Sequence, residues 1–263
     1  MCELLGMSAN VPTDICFSFT GLVQRGGRTG PHRDGWGIAF YEDHGLREFR
    51  EPMASCESAI ARLLQEHPIK SRTVIAHVRQ ANVGQVNLAN THPFTREVGG
   101  RYFSFAHNGQ LTEFRAEPGR YTPVGTTDSE AAFCTLLNRV VASYPRAPAF
   151  PEIVPALVDA AAGFTRQGVF NCLLSDGEYL FAFCSTKLAW LTRRAPFGAA
   201  VLADCEVRVD FAEHTGPKDV VSVIATEPLT VNEDWQRFAP GEWRLFRLGE
   251  PVASGRVVLE AAA

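Results

Sequence analysis

No apolar run in this sequence approaches the roughly 20 residues that a membrane-spanning helix needs, so no membrane partner is expected. There is no C-x-x-C pair and no glycine-rich nucleotide loop. The seven cysteines (Cys2, Cys16, Cys56, Cys134, Cys172, Cys184, Cys205) are odd in number and widely spaced, which argues against a disulfide framework and against a zinc site. Most of them read as small buried hydrophobes in a reduced cytosol. The segment MCELLGMSANVPTD lacks a basic n-region and already carries Glu3, so no secretory signal is expected and the expected location is cytoplasmic. Neither sign of charge dominates: a net charge of −4 gives no reason to expect nucleic acid or an anionic membrane surface. Repeats, low-complexity linkers and breaks in composition are also absent, and no metal or cofactor is expected.

What the chain does have is ordinary globular composition, with 46% hydrophobic and 21% charged residues over 263 positions. That is enough chain for a sizeable core in one large domain or two small ones. Glu3 to Met7 reads as a strand, and Gln24 to His32, with its Gly and Arg content, as a mobile loop that is equally a solvated surface loop or a ligand lid. A Gly-flanked strand follows at Asp34 to Tyr41, then a turn and a second strand around Leu46 to Arg50. Helical spacing of Ala59, Ile60, Leu63 and Leu64 predicts a helix over Ser55 to Glu66, capped by Ser55 or Ser58. Thr73 to Arg79 is a nearly continuous apolar strand. Another runs from Tyr102 to Ala106 and ends in His107-Asn108-Gly109, a turn signal. Helices are expected over Ala131 to Val141, capped by Thr127 or Asp128, and over Pro151 to Thr165. The remainder is strand-rich, with an Asp176-Gly177 hairpin and strands near Val169–Leu174, Tyr179–Cys184, Leu188–Thr192, Glu206–Phe211, Asp219–Ala225 and Trp243–Leu248. Strands, two central helices and more strands suggest one α+β domain of two packed sheets with helices outside.

The stretch that organises the rest is Met1-Cys2. Removal of Met1, expected before a small side chain, would leave a chain that begins with a thiol and a free α-amine on one residue. An α-amine has a reference pKa of about 7.7–8.0, so near neutral pH part of it is able to take the thiol proton. Taken alone, Met-Cys is a weak signal. Further polar stretches sit at predicted strand ends. Arg79, in Ala76 to Gly84 (AHVRQANVG), offers a planar fork for a carboxylate, though alone it reads as a structural ion pair. His92, in Asn90 to Phe94 (NTHPF), reads alone as a structural hydrogen bonder. An Asn108 amide and a Gly109 N–H side by side can aim two donors at one oxygen, or simply make an Asn-Gly turn. Asp128 can bind an ammonium, cap a helix, or do both.

Taken together and in this order, Cys2, HVRQANVG, NTHPF, HNG and TTDSE resemble the class II glutamine amidotransferase family, the N-terminal nucleophile type. The small stand-alone bacterial members also share Asp34-Gly35-Trp36-Gly37 and the late Ala225-Thr226-Glu227-Pro228-Leu229. The resemblance covers essentially the whole chain, residues 1–263, and implies the four-layer αββα sandwich of N-terminal nucleophile hydrolases. It implies that Cys2 attacks the side-chain amide of glutamine, that Asn108 and Gly109 hold the oxyanion, that Arg79 pairs with the substrate α-carboxylate, and that Asp128 takes its α-ammonium. Asn82 stands where many members have a carboxylate-contacting Thr. Arg25 and Gly26 fall in the loop implied to cover the ligand, and Trp36-Gly37 would support the nucleophile from behind. Gln80 replaces an aromatic residue common in synthase-linked members, which fits a stand-alone enzyme. With no acceptor domain expected in the chain, three readings stay open: a glutaminase serving a separate synthase subunit, a hydrolase of another γ-glutamyl amide (a peptide or thiol conjugate), and a non-catalytic γ-glutamyl-binding protein.

Overall fold

Residues 3–14 alternate between two apolar environments: Leu4 packs in one core cluster, while Leu5, Met7 and Ala9 pack in another. Side chains of a strand point to opposite faces in turn, so a strand that is apolar on both faces lies between two layers. The computed structural model, which describes residues 2–260 except 83, 145, 147 and 214, shows what those layers are. Met1, whose removal is expected, and Val83 of the HVRQANVG stretch fall outside the described residues.

In chain order the strands are β1 (Glu3–Asp14), β2 (Trp36–Glu42), β3 (Gly45–Glu51), β4 (Lys70–Val78), β5 (Phe94–Val98), β6 (Arg101–Leu111), β7 (Gly168–Ser175), β8 (Tyr179–Phe183), β9 (Ala189–Arg194), β10 (Ala199–Val201), β11 (Arg208–Asp210), β12 (Val220–Ala225), β13 (Gln236–Arg237), β14 (Glu242–Arg247) and β15 (Glu250–Arg256). The helices are α1 (Cys16–Arg25), α2 (Ala59–Glu66), α3 (Asp128–Ser143) and α4 (Phe150–Phe164). One sheet has the order β13-β9-β12-β1-β4-β2-β3 and the other β15-β14-β8-β7-β6-β5, with β10 and β11 forming a separate ribbon.

Three core layers separate these parts. Leu5, Ile38, Val74 and Ala76 of the first sheet pack against Phe19 and Leu22 of α1 and Ala61 and Leu64 of α2. Phe105, Phe170 and Cys172 of the second sheet pack against Leu137 of α3 and Leu157 of α4. Leu4, Ile75, Ala106, Leu173, Leu180 and Ile224 fill the space between the sheets. The architecture is therefore the αββα sandwich of the N-terminal nucleophile type. Each buried Leu or Phe contributes about 1.5–3 kcal/mol relative to exposure, so the core rather than helix propensity holds the layers together. Gly6 marks a close approach between the sheets: a Cβ there would meet Leu173 Cδ1 at 3.0 Å and Leu180 Cδ2 at 3.1 Å.

The caps follow from local chemistry. Ser58, not Ser55, caps α2, its Oγ accepting the N–H of Ala61 at 2.9 Å. Ser55 instead donates to the carbonyl of Val23 at 3.0 Å. Thr127 caps α3 by accepting the N–H of Glu130 at 3.2 Å. Asp176-Gly177 turns β7 into β8 as expected, with Gly177 at φ 95°.

Several expectations are corrected. β1 runs on to Asp14, and α1 occupies residues for which no element was expected. Phe19, Leu22 and Val23 of α1 bury against the first sheet, and that packing overrides the poor propensity of Gly21 and its polar neighbours. The Gln24–His32 loop is shorter and better held than expected: Gln24 and Arg25 end α1, and Gly26 bridges to Pro31. The His107-Asn108-Gly109 turn is not a turn, because β6 continues through it to Leu111, paired with β7. Strands β5, β10, β13 and β15 were not expected. Cys134, Cys172 and Cys184 are buried, whereas Cys2, Cys16, Cys56 and Cys205 keep partial exposure. No helix among the described residues is long and apolar enough to cross a membrane.

Candidate active site

The period of two that builds the sheets also builds the site. On β1, Leu4 faces the gap between the sheets, so Cys2 just before the strand lies on the same side. Ile75 of β4 faces the gap, which puts His77 and then Arg79 there. Ala106 of β6 and Ile224 of β12 do the same for Asn108 and Thr226. Glu3 pairs with Val78, and Leu5 pairs with Ala225, so the ends of β4, β1 and β12 meet side by side. Residues far apart in the sequence thus converge at one end of the inter-sheet space.

The Cys2 thiol is seated on the backbone of Gln80. Its Sγ lies 3.6 Å from the Gln80 carbonyl, to which it donates, and 3.5 Å from the Gln80 N–H. Burial pushes the thiol pKa up, with the negative charge of Asp128 adding to the shift, while the Gln80 backbone contact and the Arg79 charge oppose it. The net direction is upward, so burial favours the protonated thiol.

Arg79 is buried, 3% exposed, and its Nη1 donates to the carbonyl of Gln85 at 3.2 Å. Its backbone is locked between Gly35 and Asp34: the Arg79 N–H donates to Gly35 at 2.7 Å and its carbonyl accepts from Asp34 at 3.0 Å. The Asp34 carboxylate accepts the N–H of Ala81 at 2.7 Å and fixes the chain as it leaves β4. Arg79 interacts electrostatically with Cys2, Asp34 and Asp128, and Cys2 with both Arg79 and Asp128. One cation and one anion therefore act on a single thiol. Asp128 opens α3, where an anion is favoured by the helix dipole.

Gly109 stands at the open edge of β6. Backbone N–H groups leave a strand on alternate sides. The Leu111 N–H is taken by Asp128 at 2.6 Å, and the Thr112 N–H goes to the Gln167 carbonyl beyond β7. By that alternation the Gly109 N–H leaves toward the Asp128 side, away from β7, where β5 has already ended at the Phe94–Phe105 pair. The neighbouring Asn108 carbonyl faces β7 and accepts from Asn171 Nδ2 at 3.0 Å. Asn108 is 1% exposed, its Nδ2 sits 3.2 Å from Thr226 Oγ1, and its Oδ1 has no hydrogen-bond partner among the described residues.

Three other candidates sit elsewhere. Arg25 is not on an exposed lid: its guanidinium is bonded to Glu3 at 3.0 Å, to Asp204 at 2.8 Å, and to the carbonyls of Glu227 and Pro228. Gly26 is wedged against Ser55, whose Oγ would lie 1.7 Å from an added Cβ. Asn82 is exposed in the segment after β4. Trp36 packs on Phe19 on the outer face of the first sheet, behind the strand carrying Arg79. Sequence reasoning gave no role to Thr226 or to Asp34, although both lie in the short segments quoted above. Behind the site, His77 and His92 lie ring to ring with centroids 4.2 Å apart, both buried. The arrangement can hold a zwitterion by its two ends and offer a thiol and donors to a carbonyl between them.

A family model described as glutamine amidotransferases class-II matches residues 1–262. The chain is 62% identical over 254 residues to YafJ of Escherichia coli (strain K12), a glutamine amidotransferase by provisional name, covering 96% of this chain and 100% of that one. A Haemophilus influenzae protein with the same provisional name is 44% identical, covering 96% and 86%. The crystal structure of a predicted glutamine amidotransferase from Pseudomonas aeruginosa PA01 superposes with a TM-score of 0.79 at 59% identity, covering 96% of this chain and 100% of that one. Glutamine phosphoribosylpyrophosphate amidotransferase from B. subtilis shares the fold at a TM-score of 0.59 and 14% identity; this chain matches 49% of its length.

Proposed function

Since this chain belongs to the class II glutamine amidotransferases, we propose that it cleaves the side-chain amide of glutamine through a γ-glutamyl thioester on Cys2, releasing glutamate and ammonia. The observation that carries this reading is that the charges of both Arg79 and Asp128 act on the Cys2 thiol. Those charges suit the α-carboxylate and α-ammonium of a free γ-glutamyl compound. A site with a buried cation and a partly buried anion also discriminates against plain amides, which would leave those charges unpaired.

The chemistry requires loss of Met1, so that Cys2 carries a free α-amine. That amine takes the thiol proton as sulfur attacks the amide carbon. The carbonyl electrons move onto oxygen, and the Asn108 amide and the Gly109 N–H would take up the charge. Collapse returns the electrons, the α-ammonium gives its proton to the leaving nitrogen, and ammonia departs. Water then attacks the thioester, yielding its proton to the same amine, and collapse expels the thiol and glutamate. A cytoplasmic enzyme, with ammonia either released or passed to a separate synthase subunit, is the setting we infer.

The test is glutamate release by Met1-processed protein from glutamine and from a panel of γ-glutamyl dipeptides and γ-glutamyl thiol conjugates, with Cys2→Ala as control. Turnover of glutamine that vanishes in Cys2→Ala, with the urea unfolding midpoint unchanged, supports the proposal. Rapid turnover of one conjugate with glutamine inert would replace glutamine as substrate. Full activity in Cys2→Ala would end the nucleophile assignment.

A further inference from the structure

Thr226 directly follows β12 and is buried at 2% exposure in the space between the sheets. Its Oγ1 accepts the N–H of Leu4 at 2.9 Å, and its own N–H donates to the Leu4 carbonyl at 3.2 Å. Asn108 Nδ2 lies 3.2 Å from the same Oγ1. A hydroxyl has one hydrogen to give and two lone pairs to offer. With both N–H groups pointing at it, its lone pairs are used, and its hydrogen meets no acceptor among the described residues. At the other end of the contact, Asn108 Oδ1 is buried with no partner among the described residues either. A buried donor and a buried acceptor are thus left unmade at one short contact.

The two ends of an amide have nearly the same shape, so the hydrogen-bond network decides which end faces Thr226. Turning the Asn108 amide by half a revolution mends both faults. The Thr226 O–H then donates to Asn108 Oδ1, and Oγ1 keeps the Leu4 N–H. Nδ2 moves into the enclosed position where Oδ1 stood, a place that no protein donor reaches. A donor turned there fits a place where an oxygen arrives with the ligand.

We propose that Thr226 is the positioning residue of the oxyanion hole: its hydroxyl holds Asn108 Oδ1, so that Nδ2 is aimed at the substrate's amide oxygen. The same hydroxyl is tied to Leu4, two residues from Cys2, so one side chain sets the nucleophile's strand and the oxyanion donor in register. This rests on the thioester reading above.

The experiment compares Thr226→Val, which keeps the shape and loses the hydroxyl, with Thr226→Ser, which keeps the hydroxyl. Turnover of the best substrate in the panel is measured in both, alone and on an Asn108→Ala background. Losing an oxyanion donor costs about 100- to 1,000-fold in rate, so Asn108→Ala is expected in that range and Thr226→Val at about 10- to 100-fold, falling on kcat with KM little changed. Thr226→Ser is expected within about threefold of wild type. On the Asn108→Ala background, Thr226→Val is expected to add almost nothing, because the group it orients is gone. Iodoacetamide alkylation of Cys2, which develops no oxyanion, is expected to run at the wild-type rate in Thr226→Val. If Thr226→Val does not fold, Thr226→Ala takes its place in every comparison.

A Thr226→Val enzyme with near wild-type kcat overturns the inference alone. So does a loss that is fully additive with Asn108→Ala, or one matched by slower alkylation, since either places the effect in the Leu4 anchor. A wild-type enzyme silent across the panel overturns the thioester reading and this inference with it.

Discussion

Asp128 accepts the N–H of Leu111 at 2.6 Å with one carboxylate oxygen and the N–H of Ser129 at 2.9 Å with the other. The first residue of α3 is thereby tied to the end of β6, two residues beyond the Gly109 N–H. The carboxylate thus has a structural task along with the ammonium-binding task proposed for it, and the two are separable because only the second needs charge. Asp128→Asn keeps an acceptor oxygen for Leu111 and remains compatible with the start of a helix, so the unfolding free energy in urea titrations is expected to change by less than about 1 kcal/mol. Loss of the charge is expected to raise KM for glutamine about tenfold, equivalent to ~1.4 kcal/mol, while an N-acetylated substrate without the ammonium changes little. Steady-state kinetics with the two substrates check this; equal effects on both would remove the ammonium from the account.

Arg25 joins four parts of the chain by way of Glu3, Asp204 and the carbonyls of Glu227 and Pro228. Its side chain is 10% exposed and those of Glu3 and Asp204 are 13% and 15%. Removing it leaves the carboxylates of Asp204 and of Glu3, the residue next to Cys2, poorly solvated and without their cation. Arg25→Met is expected to cost about 3–5 kcal/mol in urea unfolding, the range for breaking a buried ion pair. Arg25→Lys is expected to recover only part of that, since an ammonium cannot reach a fan of acceptors as a planar fork does.

Much of this site was legible because chemistry demands particular residue types in order. Cys2, Arg79, Asn108, Gly109 and Asp128 were named from the sequence, and the structure brings them to one end of the inter-sheet space. Arg25 was misplaced because Gly26-Gly27 looked like the start of a mobile loop, whereas its guanidinium is bonded to Asp204, 179 residues away. Thr226 had no role because its bond to Leu4 spans 222 residues and exists only once β1 and β12 pair. Asn108-Gly109 read as a turn because Asn-Gly is a strong local turn signal; pairing with β7 overrides it. Helix α1 was hidden by Gly21 and by polar residues whose apolar face only appears against the sheet. Local pattern carried elements with strong periodicity, and contacts between distant strands decided the others.

The buried histidines give the protein a weakness to acid. Burial, together with nearby His107 and Arg79, lowers the pKa of His77 from 6.5 to about 3. Burial likewise holds His92 well below its usual value, with His77 adding to the shift. None of their four ring nitrogens has a partner among the described residues. In the unfolded chain each histidine takes a proton below pH of about 6.5, while the folded chain resists. The unfolded state then binds more protons, so stability is full above about pH 6.5 and falls as pH drops toward 3. For His77 alone the loss at pH 5 is about 2 kcal/mol. Urea midpoints at pH 7 and pH 5 should therefore differ markedly, and His77→Leu should shrink the difference by about that amount. An unchanged difference in His77→Leu would show that the histidine is protonated in the fold.

Gly109 is glycine for reasons of space. Its φ is not in the left-handed region, but an added Cβ would lie 1.8 Å from the Val169 carbonyl oxygen and 2.7 Å from His107 Nε2. That oxygen is the partner of His107 Nε2 at 3.1 Å, so the methyl group would have to push β6 away from β7 and break this contact as well. The obstacle is backbone, which cannot swing aside as a flexible side chain does. Gly109→Ala is therefore expected to destabilise the protein by about 2 kcal/mol or more, in the manner of overpacked cores. Since the Gly109 N–H moves with the strand, glutamate release is expected to fall about 100-fold or more. Gly163, in the last turn of α4, has nothing within 4 Å of its added Cβ. There the same substitution only improves helix propensity, and Gly163→Ala is expected to stabilise by about 0.5–1 kcal/mol with activity intact. Urea unfolding and turnover of the two variants side by side check both expectations. Similar behaviour in both would mean that the strands at Gly109 have room to spare, contrary to the close approach of Val169.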